Sequence, residues 1–222
     1  MKKLILILCC FISMSLCGQA PTFEWAIQTE GPRGETGSAI TTDKSGNIYV
    51  TGIFSDTVDF DPSSNIFNLT STATTTGFSR DIFIAKYNTN GAFIWAFSLG
   101  STEWDWGFGI TTDTFENVYI TGRFEGTIDF DPGAGVHTLS SSSNSDGFIL
   151  KLESNGSFLW ARNMGEAGTG TGREIVVDNS GNVFTIGTFN FTADFDPGPG
   201  VYNLTDNGFG DIFILKLNGD GD

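Results

Sequence analysis

Asp59-Phe60-Asp61-Pro62 returns as Asp129-Phe130-Asp131-Pro132 and again as Asp194-Phe195-Asp196-Pro197. A tetrapeptide that comes back twice, with its flanks, marks an internal repeat. A repeat of this size points to an array of one supersecondary unit.

Four landmarks set its ruler. A tryptophan recurs as Trp25, Trp95 and Trp160. An Asp follows it at one fixed distance (Asp43, Asp113, Asp178), and D-F-D-P begins at a second fixed distance beyond that Asp. An apolar run then opens at Asp81, Asp146 and Asp211. Only the interval between the last two landmarks varies. It is longest from Asp59 to Asp81, and equal from Asp129 to Asp146 and from Asp194 to Asp211. Length change is therefore confined to one loop, the Thr-rich stretch at 70–77 in the first copy. Loops absorb insertions that packed strands do not.

Helix periodicity is lacking after the first residues, and the 222-residue chain carries 29 glycines. Short apolar runs alternate with turn residues, as in strands. Each copy reads as two hairpins and an insert. In the first copy the strands are 38–42, 48–54, 82–87 and 92–96, with D-F-D-P in the insert. Phe23-Glu24-Trp25-Ala26 matches the fourth strand and stands ahead of the first copy. Four antiparallel strands in each such unit describe a blade. The fold class expected is all-β: a β-propeller-like array of about three four-stranded antiparallel blades, open or partial. The repeat domain spans 19–222, with copies at 23–92, 93–157 and an incomplete 158–222.

Lys2 and Lys3 precede an apolar run from Leu4 to Leu16, the pattern of a secretory signal peptide at 1–18, cut between 17 and 20. Cys17 offers a lipoprotein reading, which Leu16 opposes. The expected location is secreted, periplasmic or cell surface, without membrane insertion after cleavage. All three cysteines (Cys9, Cys10, Cys17) fall in this segment, so disulfides and thiol chemistry have no place in the mature chain. The net charge of −15 speaks against nucleic acid. It fits plain solubility or, more sharply, divalent cations.

The candidate sites follow. Asp59 and Asp61, Asp129 and Asp131, Asp194 and Asp196 each put two carboxylates on one side of an extended segment. That is a Ca²⁺ candidate, set against a turn-capping role for the second Asp. No other cofactor is expected. Lys86, Lys151 and Lys216 end one strand in every copy, and an ion pair with an Asp of the neighbouring blade is expected. Gly37, Gly107 and Gly172 stand at one fixed offset after each Trp and require positive φ or crowding near a central channel. The loop Glu103-Trp104-Asp105-Trp106 does not repeat. It suits sugar stacking and hydroxyl hydrogen bonding, or inter-blade packing. The single histidine, His137, has no counterparts, so nothing supports a triad or a multi-His metal site.

The motifs D-x-S-G-N-x-Y/F, D-F-D-P-G-x-G-V-x-x-L, D-I-F-I-x-K and N-G-x-F-x-W-A cover residues 23–222. They resemble the SBBP β-propeller repeat family, common in exported proteins of the Bacteroidetes type. The resemblance implies a propeller and leaves the activity open. Members often carry a C-terminal sorting domain, and none is seen in this sequence.

The expected function is an exported, non-enzymatic scaffold or binding module for protein or polysaccharide. One rival is a carbohydrate-active hydrolase or lyase with a carboxylate pair. Another is a calcium-stabilised adhesion repeat. Three blades leave a ring incomplete, so further blades or self-association are expected.

Overall fold

The computed structural model describes residues 22–72, 79–142 and 144–222. The signal-peptide reading and most of the variable loop of the first copy lie outside them.

The first copy contains β1 (Thr36–Thr42), β2 (Ile48–Phe54), β3 (Thr57–Asp59), β4 (Asn68–Thr70), β5 (Asp81–Tyr87) and β6 (Phe93–Leu99). The second repeats this as β7 (Trp106–Thr112), β8 (Val118–Phe124), β9 (Thr127–Asp129), β10 (Thr138–Ser140), β11 (Asp146–Leu152) and β12 (Phe158–Met164). The third has β13 (Thr169–Val177), β14 (Val183–Asn190), β15 (Thr192–Asp194), β16 (Asn203–Thr205) and β17 (Asp211–Leu217). The main sheets are antiparallel meanders in the order β1-β2-β5-β6, β7-β8-β11-β12 and β13-β14-β17. The fold is all-β with open, propeller-like blades.

The third sheet has three strands, as the incomplete third copy implies, and no described residue pairs with the free edge of β17. One expectation is corrected: residues 22–29 form no strand. They lie instead along the outer face of the first sheet. Trp25 and Ile27 rest on Gly91 much as Phe97 rests on Gly156 and Trp160 on Gly221. The segment thus takes the place of a fourth strand without the sheet it would belong to.

The repeat motifs now acquire physical reasons. The Phe of D-F-D-P is carried inward by the hairpins β3-β4, β9-β10 and β15-β16. Phe60 meets Phe54 and Phe83 at ring centroid distances of 5.7 and 5.1 Å. Phe130 and Phe195 repeat the cluster with Phe124 and Phe148, and with Phe189 and Phe213. Edge and tilted ring contacts of this kind favour one packing over its alternatives. In D-x-S-G-N-x-Y, Asp43 Oδ1 accepts the Ser45 and Asn47 amides, both at 2.9 Å. Its Oδ2 accepts Asn47 Nδ2 at 2.8 Å and the Tyr49 hydroxyl at 3.0 Å. Burial acts to raise the Asp43 carboxyl, but these bonds and the charge of Lys86 hold it below the usual carboxylate range.

Stacking makes the core. The following face of the first sheet (Tyr49, Ile82, Ile84, Leu99) packs on the preceding face of the second (Ile110, Val118, Ile120, Leu150). The second and third sheets meet in the same way through Tyr119, Ile149, Trp160 and Met164 against Ile175, Val183 and Phe213. Contacts between sheets concentrate on the opening strand of each, β1, β7 and β13.

The repeated lysines act across these seams, though not as expected. Lys86 Nζ donates to Ser154 O at 2.9 Å, and Lys151 Nζ to Gly219 O at 2.9 Å, each a carbonyl in a turn of the next blade. The nearest Asp to Lys86 is Asp43 of its own blade, at 3.9 Å. The tryptophan one strand over joins the same carbonyl, Trp95 at 3.3 Å and Trp160 at 3.1 Å.

The expectation for Gly37, Gly107 and Gly172 also changes. None has positive φ. A methyl at Gly107 would collide with Thr51 Oγ1 of the preceding blade, and one at Gly172 with Thr121 Oγ1. The crowding comes from the neighbouring sheet, and Gly37, with no sheet before it, is not crowded.

Candidate functional site

A strict repeat gives every blade the same interior, so individuality lies where the copies differ. The loops joining one sheet to the next are one such place. In the first and third copies the loop pairs with the insert of its own blade, Glu30 with Asp59 and Glu166 with Asp194. The second and third loops both reach back to the preceding blade, the third through Gly170 N–H to Ser145 O at 3.3 Å, but only in the second, among the described residues, does a bridge form there, Trp104 with Arg80 in parallel. Asp105 fixes this detour. Its backbone N–H donates to Arg80 O at 2.8 Å. Its carboxylate accepts the Ser101 amide at 2.7 Å and the Glu125 amide at 2.9 Å.

The predicted quartet therefore divides. Asp105 is fully buried and holds the loop. Burial, with a smaller push from Asp81, raises its carboxyl to about 6 against the lowering effect of the two amides. It cannot meet a ligand. Trp104 is 47% exposed. Glu103 is exposed and Trp106 half-buried. With Arg33, Gly34, Ser55 and Arg80, Trp104 lines an open depression of about 400 Å³.

Around these residues the structure assembles partners that the quartet alone does not reveal. Arg80 lies over the Trp104 ring at 4.9 Å, and Trp104 meets Trp106 edge-on at 5.5 Å. Trp106 stacks parallel to Phe108 at 6.3 Å. Arg123, its cross-strand neighbour, covers Trp106 at 4.6 Å, and Arg173 covers Phe108 at 4.5 Å. The result is a continuous ladder of rings and guanidinium groups along the opening strands of the second and third blades.

A β-bulge supplies two of its rungs. Register shifts occur at Gly37/Ala39, Gly107/Gly109 and Gly172/Glu174. The extra residues are Ser38, Phe108 and Arg173. A bulge re-aims the side chain it inserts. The bulge repeats, but its residue does not, and that non-repetition is the signal available in the sequence for Phe108 and Arg173.

The six carboxylates considered for calcium each take part, through Oδ1, in hydrogen bonds of their own turn. Asp59 Oδ1 accepts the Asp61 and Phe67 amides at 3.0 and 2.8 Å, and Asp61 accepts Ser63 N at 2.9 Å. Asp129 and Asp131 repeat this with Asp131 N, His137 N and Gly133 N. Asp194 and Asp196 do so with Asp196 N, Tyr202 N and Gly198 N. These are turn-fixing bonds in every copy. Among the described residues no three His, Cys, Asp or Glu side chains group as a metal site. Asp59 and Asp61 line an open depression with Ala26, Ile27, Gln28 and Glu30. No helix among the described residues is long and apolar enough to cross a membrane.

Comparison with known proteins agrees with this architecture. A model of the beta-propeller repeat family SBBP matches residues 24–52. The chain is also 28% identical, over 225 residues, to an uncharacterized WD repeat-containing protein of Acanthamoeba polyphaga mimivirus. That alignment covers 87% of this chain and 16% of the relative's length. Both matches support a propeller-repeat protein.

Proposed function

We propose that this chain is an exported, non-enzymatic propeller-repeat scaffold that binds a protein or polysaccharide along its ladder of rings and guanidinium groups. The observation that carries the reading is where the repeat is broken. Trp104, Trp106, Phe108, Arg80, Arg123 and Arg173 have no like residue at the matching positions of the other copies. All six meet in one contiguous surface. Residues needed only for stacking would recur with the stack. Aromatic and arginine side chains are the types that dominate binding hot spots. Export rests on Lys2, Lys3 and the apolar run that follows them.

The outer faces of the first and third sheets are each half of an inter-blade interface. We take them to be completed by blades of the same kind, from this chain or a second copy. The chain on its own should then associate, as read by light scattering.

A panel of glycans and proteins, assayed for both binding and turnover, tests the function. Trp104→Ala should abolish binding, with no turnover seen in any variant. Turnover abolished by Glu103→Gln would instead establish a carbohydrate-active enzyme. A melting temperature raised by calcium and lowered by chelator would favour the calcium-stabilised adhesion repeat instead.

A further inference from the structure

We propose that the ladder's ligand is an acidic polysaccharide, with uronate carboxylates held by Arg80 and Arg173 and sugar rings laid on the aromatic rungs between them. This rests on the binding-module reading above and adds the ligand's chemistry.

The cations of this acidic chain sort into two groups. Lys44, Lys86, Lys151 and Arg162 donate to turn carbonyls of the next blade, at 2.9 to 3.0 Å. Lys216 is the counterpart of Lys86 and Lys151 on the outermost sheet. These cations serve the stack. The other arginines among the described residues are Arg33, Arg80, Arg123 and Arg173, and all lie in or beside the ladder. In a chain of net charge −15, the positive charge of the described residues that has no stacking role is gathered at one surface.

Two of the four are committed. Arg33 pairs with Asp56 at 3.0 Å and Arg123 pairs with Glu125. Arg80 and Arg173 are exposed, and no carboxylate among the described residues lies within ion-pair distance of either. Each is steadied by the ring beneath it, which leaves the edge of its planar fork for a ligand. That edge matches a carboxylate in a two-point bond, which a lysine cannot offer. Between the two forks run Trp104, Trp106 and Phe108, with no step longer than 6.3 Å. A linear glycan presents apolar C–H faces to such rings and carboxylates beside them, whereas an acidic peptide needs no row of rings. Glu103, exposed in the same loop, opposes the anion.

The test is binding of polygalacturonate to the purified chain by calorimetry, beside neutral dextran, sulfated dextran and poly-glutamate. Polygalacturonate should bind most tightly. Arg80→Gln and Arg173→Gln should each weaken it about tenfold. Glu103→Gln should tighten it a few-fold, and Lys216→Gln should leave it unchanged. Equal binding of neutral dextran would overturn the uronate assignment while leaving the binding module standing. Preference for sulfated dextran or poly-glutamate would overturn it in favour of another anion. No binding by any probe or by the protein panel would remove both readings.

Discussion

Ile40, Ile110 and Ile175 hold one position of the repeat and meet different fates. Ile110 is 4% exposed and Ile175 1%, each covered by the blade before it, while Ile40 is 69% exposed. The other side of the stack mirrors this. Ile84 and Ile149 are fully buried by the blade that follows, and Ile214 is 75% exposed. Identical side chains on near-identical strands thus differ in worth because of their neighbours alone. The sheet supplies the position, and the seam supplies the energy, as expected of a quasi-one-dimensional array.

Removing side-chain volume at these matched positions is the sharpest way to break the comparison. Ile84→Ala and Ile175→Ala empty a covered seam and should each cost about 2–5 kcal/mol. Ile40→Ala and Ile214→Ala should stay within about 0.5 kcal/mol in urea unfolding of dilute protein. A comparable loss at Ile40 or Ile214 would mean that those faces are covered in solution. The scattering intensity should then fall in the same variants.

Adding volume tests the same contrast from the other side, with a smaller effect. Gly172→Val forces a branched side chain onto Thr121 and should cost about 1–3 kcal/mol. Gly37→Val meets only Val50, at ordinary contact distance, and should be near neutral. Equal costs at the two sites would show that the glycine serves its own strand and not the seam.

The blades were legible because their signals are local and recur. D-x-S-G-N-x-Y is an Asp-centred turn closed by its own residues, and D-F-D-P is a hairpin that plants a Phe. Both lie close in sequence to what they bond. The seams were less legible, since the partner of Lys86 is a carbonyl 68 residues away and any residue type offers one. The candidate surface was half legible. Glu103 to Trp106 stood out as a non-repeating loop, but sequence did not distinguish the buried staple Asp105 from the exposed Trp104. Arg80, Arg123 and Arg173 join that loop only through ring faces and a bulge. No spacing rule reports such contacts, and their signal was an arginine in one copy where the others carry none.

The smallest expected effect concerns what the seams bury besides hydrocarbon. Asp105 and Asp146 are fully enclosed, and burial pushes both carboxyls up to about 6, with Glu166 adding to the shift at Asp146. Asp81 is displaced in the same direction by burial. A carboxyl raised in the folded state holds its proton more tightly there than in the unfolded chain, so stability falls as pH rises from the ordinary carboxylate range to about 6. Moving from pH 7 to pH 5 should therefore stabilise the stack, on the order of 1 kcal/mol each for Asp105 and Asp146, measured as melting temperature. Carrying out the melts at about 0.5 M salt screens the general repulsion of the acidic surface, which acts in the same direction. Below about pH 4 the trend should reverse, because Asp43 and Asp178 are held low by their turn bonds and lose that advantage on protonation. Asp146→Asn keeps an acceptor for Ser142 but has no proton to exchange, so its profile between pH 7 and 5 should be flatter than that of the unaltered chain. An unchanged slope would remove Asp146 from the pH response and leave it to Asp105 and Asp81.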